Sequence, residues 1–199
     1  MPRPNQTLEK RRELLPVIAR AFAELGYRRA TTAELARRCG VRENILYRLW
    51  PDKKAMFIAA IGHVYDQSVA IWDRLLARDE GRTTPAERLL TYESEHHGEF
   101  GHYRIVFAGL NETDDPDVRA ALSDMYRRFQ RFVEERIAAH RGCKTRSARA
   151  AARLAAWAVV GLGTVANIGR ELDLLSDAER RQLFTTMGRL LLEGQAPKG

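Results

Sequence analysis

The chain has 199 residues, of which 45% are hydrophobic, with 33 Lys and Arg against 26 Asp and Glu. This composition is typical of a soluble globular protein and excludes the disordered and fibrous classes. Residues 1–54 hold thirteen basic and six acidic residues, whereas the rest of the chain holds twenty of each, so we expect a polyanion-binding part followed by a neutral part with another task.

The N-terminus and the longest apolar run argue against export and membrane insertion. The first residues pass into charged positions without the apolar core of a signal peptide, so we expect a cytoplasmic protein. The longest uncharged run, residues 154–169, has sixteen residues, which is shorter than the roughly 20 that cross a bilayer. Cys39 and Cys143 form no CxxC pair and are expected to be core thiols.

The hydrophobic spacing is helical almost throughout, and no segment shows the period of two that strands require. A Ser or Thr followed three residues later by Glu predicts capping boxes that begin at Thr31, Thr84 and Ser176. Pro85 and Pro116 suit first helical positions. We therefore predict an all-α fold. The predicted helices span residues 8–25, 32–39, 43–50, 53–78, 85–97, 102–112, 116–141, 146–171 and 177–193.

Residues 31–50 read TTAELARRCGVRENILYRLW, which predicts a short capped helix, a glycine turn and a second short helix. Ala36 is small enough for two crossing helices to touch, and Gly40 suits the left-handed turn between them. The polar side chains of the second helix are left facing outward. At the start of such a helix they can read base edges in a major groove while neighbouring cations hold phosphates.

Several short motifs occur together between residues 15 and 57. They are AxxxG at residues 36–40, GV at 40–41, LYR at 46–48 and PDKK at 51–54. In this combination the segment resembles the DNA-binding domain of the TetR/AcrR transcriptional regulators. The resemblance implies a three-helix DNA-binding head at residues 7–67, with its helix-turn-helix motif at 31–50. It also implies a helical ligand-binding and dimerisation domain at 68–199.

Phosphate contacts are assigned by the resemblance to Thr31, Tyr47 and Lys53. Independently of the family, a helix N-terminus beside a lysine suits an anion. A further basic group at the entrance to the first helix can also reach DNA, although a solvated helix end is the simpler interpretation. This group is Arg3, Lys10, Arg11 and Arg12.

Base reading is expected from Arg42, Glu43, Asn44 and Arg48, because Arg suits guanine, Asn suits adenine and Glu accepts from cytosine. The alternative for each is a solvated surface residue. Ile45 stands where the family often has Thr, so it either meets a thymine methyl or widens the apolar stripe. These departures leave the operator sequence undetermined.

The segment 146–171 is basic in its first turns and then uncharged until Arg170. Because a helix that is apolar on all sides must be buried on all sides, we expect one side to face the core and the other a second subunit. Together with the helix at 177–193, it resembles the family's dimerisation pair. A two-fold homodimer suits a palindromic operator of double-stranded DNA.

Aromatic residues between the head and these helices are expected to pack in the core, and a few to line an effector pocket of the kind this family keeps in its helical domain. The expected ligand-binding residues are Tyr92, His96, Phe107, Tyr126 and Trp157. Glu93, His96 and His97 have the spacing of metal ligands on a helix, but no matching set of partners is found, so no metal is expected.

No phosphate-binding glycine loop, zincin motif or nucleophile elbow is present, so the sequence predicts neither an enzyme nor a cofactor. The function predicted is a ligand-responsive repressor that binds its operator as a dimer, with an effector of unknown identity and no membrane partner. Two alternatives remain open. One is a protein of this fold that acts through protein partners, and the other is a metal-binding or enzymatic protein that uses Glu93, His96 and His97.

Overall fold

The computed structural model describes residues 4–77, 83–99 and 101–194, and every regular element in these ranges is helical. This confirms the predicted all-α fold. Arg3, one of the basic residues noted above, lies outside the described residues. The helices are α1 (Pro4–Arg29), α2 (Thr32–Arg38), α3 (Glu43–Leu49), α4 (Lys53–Leu76), α5 (Pro85–His96), α6 (Tyr103–Leu110), α7 (Pro116–His140), α8 (Arg146–Glu171), α9 (Asp177–Leu183) and α10 (Arg189–Glu193).

Side-chain caps fix where several of these helices begin. Complete capping boxes form at Thr84 with Glu87 and at Ser176 with Glu179, as predicted. The third predicted box is only half formed. The Thr31 hydroxyl accepts from the Glu34 backbone N–H at 3.2 Å, but the Glu34 carboxylate binds two arginines and does not return to the cap.

Two helical segments depart from the predicted regular pattern. α1 extends from residue 4 to residue 29 instead of ending at 25, and it bends at Gly26, whose φ is +72°. The segment 177–193 is continuous, but a π-helical turn at Phe184–Gly188 separates α9 from α10. At Gly188 a Cβ atom would collide with the Leu90 side chain, so the missing side chain permits close approach to α5.

The chain forms two compact units. The first runs to Gln67 and also takes in the segment that ends at Met125, so it contains α6 and the start of α7. Its core includes Phe22 and Phe57, whose ring centroids lie 4.9 Å apart. The predicted boundary of the head, between residues 67 and 68, coincides with the end of the first segment of this unit. Because the unit also contains α6, which lies beyond that boundary in the chain, the boundary stays a prediction.

The second unit contains α5, the latter parts of α4 and α7, and all of α8, α9 and α10. Its core brings together residues from four of these helices, including Ala86, Ile137, Ala152 and Leu192. By length and composition α8 can cross a membrane, although only 28% of its most apolar window is buried. One such helix is weak evidence for a membrane span, because interface helices have the same properties.

Candidate functional site

The turn between α2 and α3 is closed by a Schellman motif around Gly40. The Val41 N–H donates to the Ala36 carbonyl at 3.0 Å, and the Gly40 N–H donates to the Arg37 carbonyl at 3.2 Å. Gly40 has a φ of +64°, which L-residues rarely adopt. Gly40 therefore has the left-handed conformation predicted for it, and Ala36 is buried beside the turn.

The two sides of α3 differ in burial. Leu46 and Leu49 are buried in the core of the first unit. The residues expected to read bases are all exposed, and Ile45 is half-buried between the two sides. These exposed residues are Arg42, Glu43, Asn44 and Arg48. The helix therefore presents a continuous polar surface from its first turn, as base reading requires.

Tyr47 and Thr31 lie at the edge of this surface. The Tyr47 side chain is 50% exposed, and its hydroxyl bonds to Thr32 Oγ1 at 3.2 Å. Thr31 is exposed, and its hydroxyl caps α2. Both hydroxyls are thus held by α2, which orients them beside the outer face of α3. Their predicted phosphate contacts stay a prediction.

The cations of the first unit fall into two groups. Arg37 and Arg38 both bind Glu34, and Arg38 also binds Glu24. These bonds, first from Arg37 and then from Arg38, hold the pKa of Glu34 at about 2. By contrast, Arg42 and Arg48 are exposed and make no ion pair within the described part of the chain. Two exposed arginines at the helix expected to read bases are therefore left without a carboxylate partner among the described residues.

Lys53 is already engaged within the protein. Its Nζ atom donates to the Tyr27 carbonyl at 3.0 Å and lies 4.4 Å from the centroid of the Tyr27 ring. The first turn of α4 is capped by Asp52, whose Oδ1 accepts from the Ala55 N–H at 2.7 Å. Since an ammonium group has three donors, the bond to Tyr27 positions Lys53 Nζ and leaves donors for a phosphate, and the phosphate contact stays a prediction.

Arg11 corrects the interpretation of the basic group on α1 as a solvated helix end. Its Nε atom donates to the Leu49 carbonyl at 2.7 Å, and its guanidinium lies 5.9 Å from the centroid of the Trp50 ring. Lys10, by contrast, forms an exposed pair with Glu13. Arg11 thus binds the carboxyl end of α3 and fixes that helix to α1.

Acidic residues between α6 and α7 bind cations of the other helices in the first unit. Lys54 pairs with Asp117 at 2.6 Å and with Asp115 at 3.1 Å, and these bonds raise its pKa. Arg28 pairs with Glu112 at 3.0 Å. The acidic connection therefore neutralises cations at the end of α1 and the start of α4, which reduces the charge left for DNA.

The residues expected to bind a ligand do not form one group. Tyr92 and His96 lie on α5 with stacked rings 4.4 Å apart, and burial raises the pKa of Tyr92. Burial also raises the pKa of Tyr126, whose hydroxyl bonds to Thr164. Phe107 belongs to the first unit. Trp157 is 43% exposed on α8, and its contact with a ligand stays a prediction.

Glu93, His96 and His97 do not converge on a metal position. His97 Nδ1 donates to Glu93 Oε2 at 2.7 Å, and Glu93 Oε1 accepts from Trp72 Nε1 at 2.7 Å. His96 Nδ1 instead donates to the Tyr92 carbonyl at 3.0 Å. Within the described ranges no group of three or more His, Cys, Asp or Glu side chains is arranged to hold a metal.

α8 carries an exposed apolar stripe, defined here as Leu154, Trp157, Val165 and Ile168, which recur at helical spacing. Leu154 is 69% exposed and Val165 is 53% exposed. Leu190 of α10 is another large exposed apolar residue in the same unit. Exposed contiguous apolar surface of this kind marks an interaction site.

The model of the bacterial regulatory proteins of the tetR family matches residues 14–60, which contain the whole helix-turn-helix and the Arg11-bound end of α3. The segment 14–60 is therefore a TetR-family domain. The transcriptional regulator of this family from Cytophaga hutchinsonii has the same fold, with a TM-score of 0.74 over 98% of both chains at 16% identity. Regulators of this family are not enzymes, in agreement with the expectation from the sequence.

Other proteins are similar to this chain in different ways. The nucleoid occlusion factor SlmA from Haemophilus influenzae is 44% identical over 57 residues, which are 28% of this chain and only 26% of SlmA. FadR from Bacillus subtilis, solved in complex with stearoyl-CoA, has a TM-score of 0.68 at 14% identity and covers 93% of this chain and 99% of its own. The structural likenesses establish the fold.

Proposed function

We propose that the chain is a cytoplasmic, ligand-responsive repressor that binds a palindromic operator as a homodimer. The observation that carries the proposal is the division of α3, which buries Leu46 and Leu49 and exposes unpaired Arg42 and Arg48. Cations that no carboxylate neutralises are free to bind phosphates or guanine edges. The match of residues 14–60 to the TetR family supports the same use of this surface.

The relatives support this proposal only in its general form. The match to SlmA is confined to about a quarter of that protein, so nucleoid occlusion is not transferred to this chain. The complex of FadR with stearoyl-CoA supports the idea that this fold accommodates an effector, but it does not identify one here.

A second copy of the chain is the proposed partner of the exposed stripe on α8. Large apolar side chains that are exposed on a helix in the single chain are covered when two copies meet about a two-fold axis. The same symmetry places two heads on DNA half-sites about one or two helical turns apart, with roughly 34 Å per turn.

An effector then acts by favouring a spacing of the heads that no longer matches successive major grooves. Coupling of about 1–3 kcal/mol changes operator affinity by roughly 5- to 150-fold. Repression follows if the free protein has the matching spacing. An activator would use the same DNA contacts, so the sign of regulation must be measured by transcription in vitro.

DNA selection with the full-length protein tests the proposal directly. We expect enrichment of a palindrome, and binding to it should weaken steeply as salt rises because phosphate contacts release counterions. The Arg42→Gln variant should either relax the preference at one base pair or reduce the salt slope by about 1.

Selection that yields no enriched palindrome contradicts the proposal. Binding to a protein partner without salt-dependent DNA binding would instead favour the alternative in which this fold acts through protein partners. Arg37→Gln is the matched control, because Arg37 is an exposed arginine of the same motif whose charge is already taken up by Glu34.

A further inference from the structure

The buried face of α8 contains polar atoms that the chain leaves unpaired. Asn167 is 8% exposed, and its Oδ1 atom has no hydrogen-bond partner among the described residues. The Nε atom of Arg170, three residues later, is also buried without a partner there. Since unpaired buried polar groups are destabilising, a pair of them calls for a partner from outside the chain.

In the second unit Asn167 is buried, and Arg170 is half-buried. Gly163, Asn167 and Arg170 share one helix face, because they are spaced by four and three residues. The Gly163 carbonyl accepts from His97 Nε2 at 3.0 Å, and Arg170 Nη2 donates to the His97 carbonyl at 2.9 Å. Asn167 therefore lies beside the end of α5.

The opposite edge of the same face contacts α7. Thr164, three residues before Asn167, bonds to the hydroxyl of Tyr126. Asn167 thus lies between the contacts of α8 with α5 and those with α7. A polar layer in this position is unusual in a helical core, and two of its atoms lack partners.

Glu93, which binds His97, does not neutralise Arg170. Both carboxylate oxygens of Glu93 are taken, one by Trp72 Nε1 and the other by His97 Nδ1, each at 2.7 Å. Among the described residues Arg170 forms no ion pair, and its bond to His97 is to a neutral carbonyl. The site therefore offers a charged donor without an anion, beside an acceptor without a donor.

We propose that Asn167 and Arg170 bind the polar group of the effector, and that the effector is a small organic acid with a hydroxyl beside its carboxylate. The carboxylate accepts from Arg170 Nε, and the hydroxyl donates to Asn167 Oδ1. Hydrogen bonds that involve ions are about twice as strong as neutral ones. This assignment rests on the proposed function, because it identifies the chemical class of the effector.

Calorimetric titration of the full-length protein tests the assignment. The probes are lactate and mandelate, with propionate and phenylacetate as acids without the hydroxyl, and 1,2-propanediol and phenylethanediol as diols without the carboxylate. At least one hydroxy acid should bind about tenfold or more tightly than both matched compounds. The same hydroxy acid should weaken operator binding in a mobility shift.

Two variants and a control locate the site. Asn167→Leu removes an unpaired amide, so its melting temperature should be no lower than that of the original protein, while hydroxy-acid affinity falls about tenfold or more. Arg170→Met should lose binding of both classes of acid. Arg153→Met changes an exposed arginine of the same helix and should leave binding unchanged.

The proposal is overturned if neither hydroxy acid exceeds its matched compounds, or if Asn167→Leu binds as the original protein does. Tight binding of a hydroxy acid that leaves operator affinity unchanged overturns the effector role. Failure of the protein to bind any selected operator would contradict the proposed function instead. The calorimetric comparison would still decide whether Asn167 and Arg170 form an acid site.

Discussion

Arg11 holds the carboxyl end of α3 against α1, and we expect it to affect DNA binding through the position of that helix. Its bond to the Leu49 carbonyl joins residues 38 positions apart in the chain, and the carbonyl is one of the last acceptors of the helix. Periodicity places Arg11 on the polar side of α1 but does not reveal an acceptor so distant in sequence. For this reason the sequence predicts a solvated cation, whereas the structure shows a positioning residue.

We expect Arg11→Lys to weaken operator binding by roughly two- to tenfold, because it keeps the charge but loses the guanidinium geometry at the Leu49 carbonyl. The slope of affinity against salt should not change, since no phosphate contact is lost. Fluorescence anisotropy at several salt concentrations measures both quantities. A smaller salt slope would show that Arg11 touches phosphate and would contradict the positioning role.

His63 and His102 make the first unit sensitive to acid. The centroids of their rings lie 6.3 Å apart. Burial lowers the pKa of both side chains. The charge of His102 lowers the pKa of His63 further, and the charge of Arg20 lowers that of His102 further. The unfolded chain therefore binds protons first. Stability is fully present above about pH 6.5 and is lost as pH falls toward the folded-state pKa values.

Between about pH 7.5 and about pH 5.5, the melting temperature of the double variant His63→Gln, His102→Gln should therefore fall less than that of the original protein. Thermal unfolding followed by circular dichroism at the two pH values provides the comparison. An equal loss in both proteins would mean that carboxylates dominate the acid response.

At the scale of the helices, boundaries were predictable where a side chain caps the first turn. Helices α5, α7 and α9 begin at the predicted residues, because Thr84, Asp115 and Ser176 accept the first backbone N–H groups. The π-helical turn at Phe184–Gly188 was not predictable, since it depends on the contact between Gly188 and Leu90 rather than on a local pattern.

The candidate sites were also predictable only as far as local patterns determine them. The exposure of Arg42 and Asn44 follows from local helical periodicity and was predictable, whereas their base contacts stay a prediction. Asn167 is a polar residue within an otherwise apolar stretch, which was a signal in the sequence. Whether Asn167 finds a hydrogen-bond partner on a neighbouring helix depends on how the helices pack, so the sequence alone could not show that its Oδ1 atom is unpaired.

A side chain at Gly40 should destabilise the protein despite the open space around it. A Cβ atom there meets nothing within 4 Å, so the cost of Gly40→Ala is the strain of a φ of +64° alone, roughly 1 kcal/mol. Gly62→Ala is the matched control, because Gly62 has equally open space inside α4. It should stabilise the protein by about 0.5–1 kcal/mol.

Urea unfolding measures both glycine variants. Opposite signs would confirm that backbone conformation, and not volume, fixes the turn of the helix-turn-helix. If Gly40→Ala were neutral, the left-handed turn would not be needed for the placement of α3.

For the whole molecule, the exposed stripe on α8 predicts a dimer that a single charge can separate. Val165 is 53% exposed, so Val165→Arg costs little in an isolated chain but buries an unpaired charge in a dimer. We expect sedimentation to show monomers and operator affinity to fall at least about tenfold. Ala139→Arg, at an exposed position of α7 in the same unit, is the control for added charge.

Because little of α8 is buried in the single chain, the stability of the fold should also depend on protein concentration. Because a partner binds only the folded chain, association adds to stability by mass action. The melting temperature should therefore rise with protein concentration, and it should cease to do so in Val165→Arg. A chain without a partner leaves apolar surface open to aggregation and proteolysis. In a cell, surplus unpaired copies should then be removed faster than dimers, which would keep the supply of regulator close to the supply of complete DNA-binding pairs.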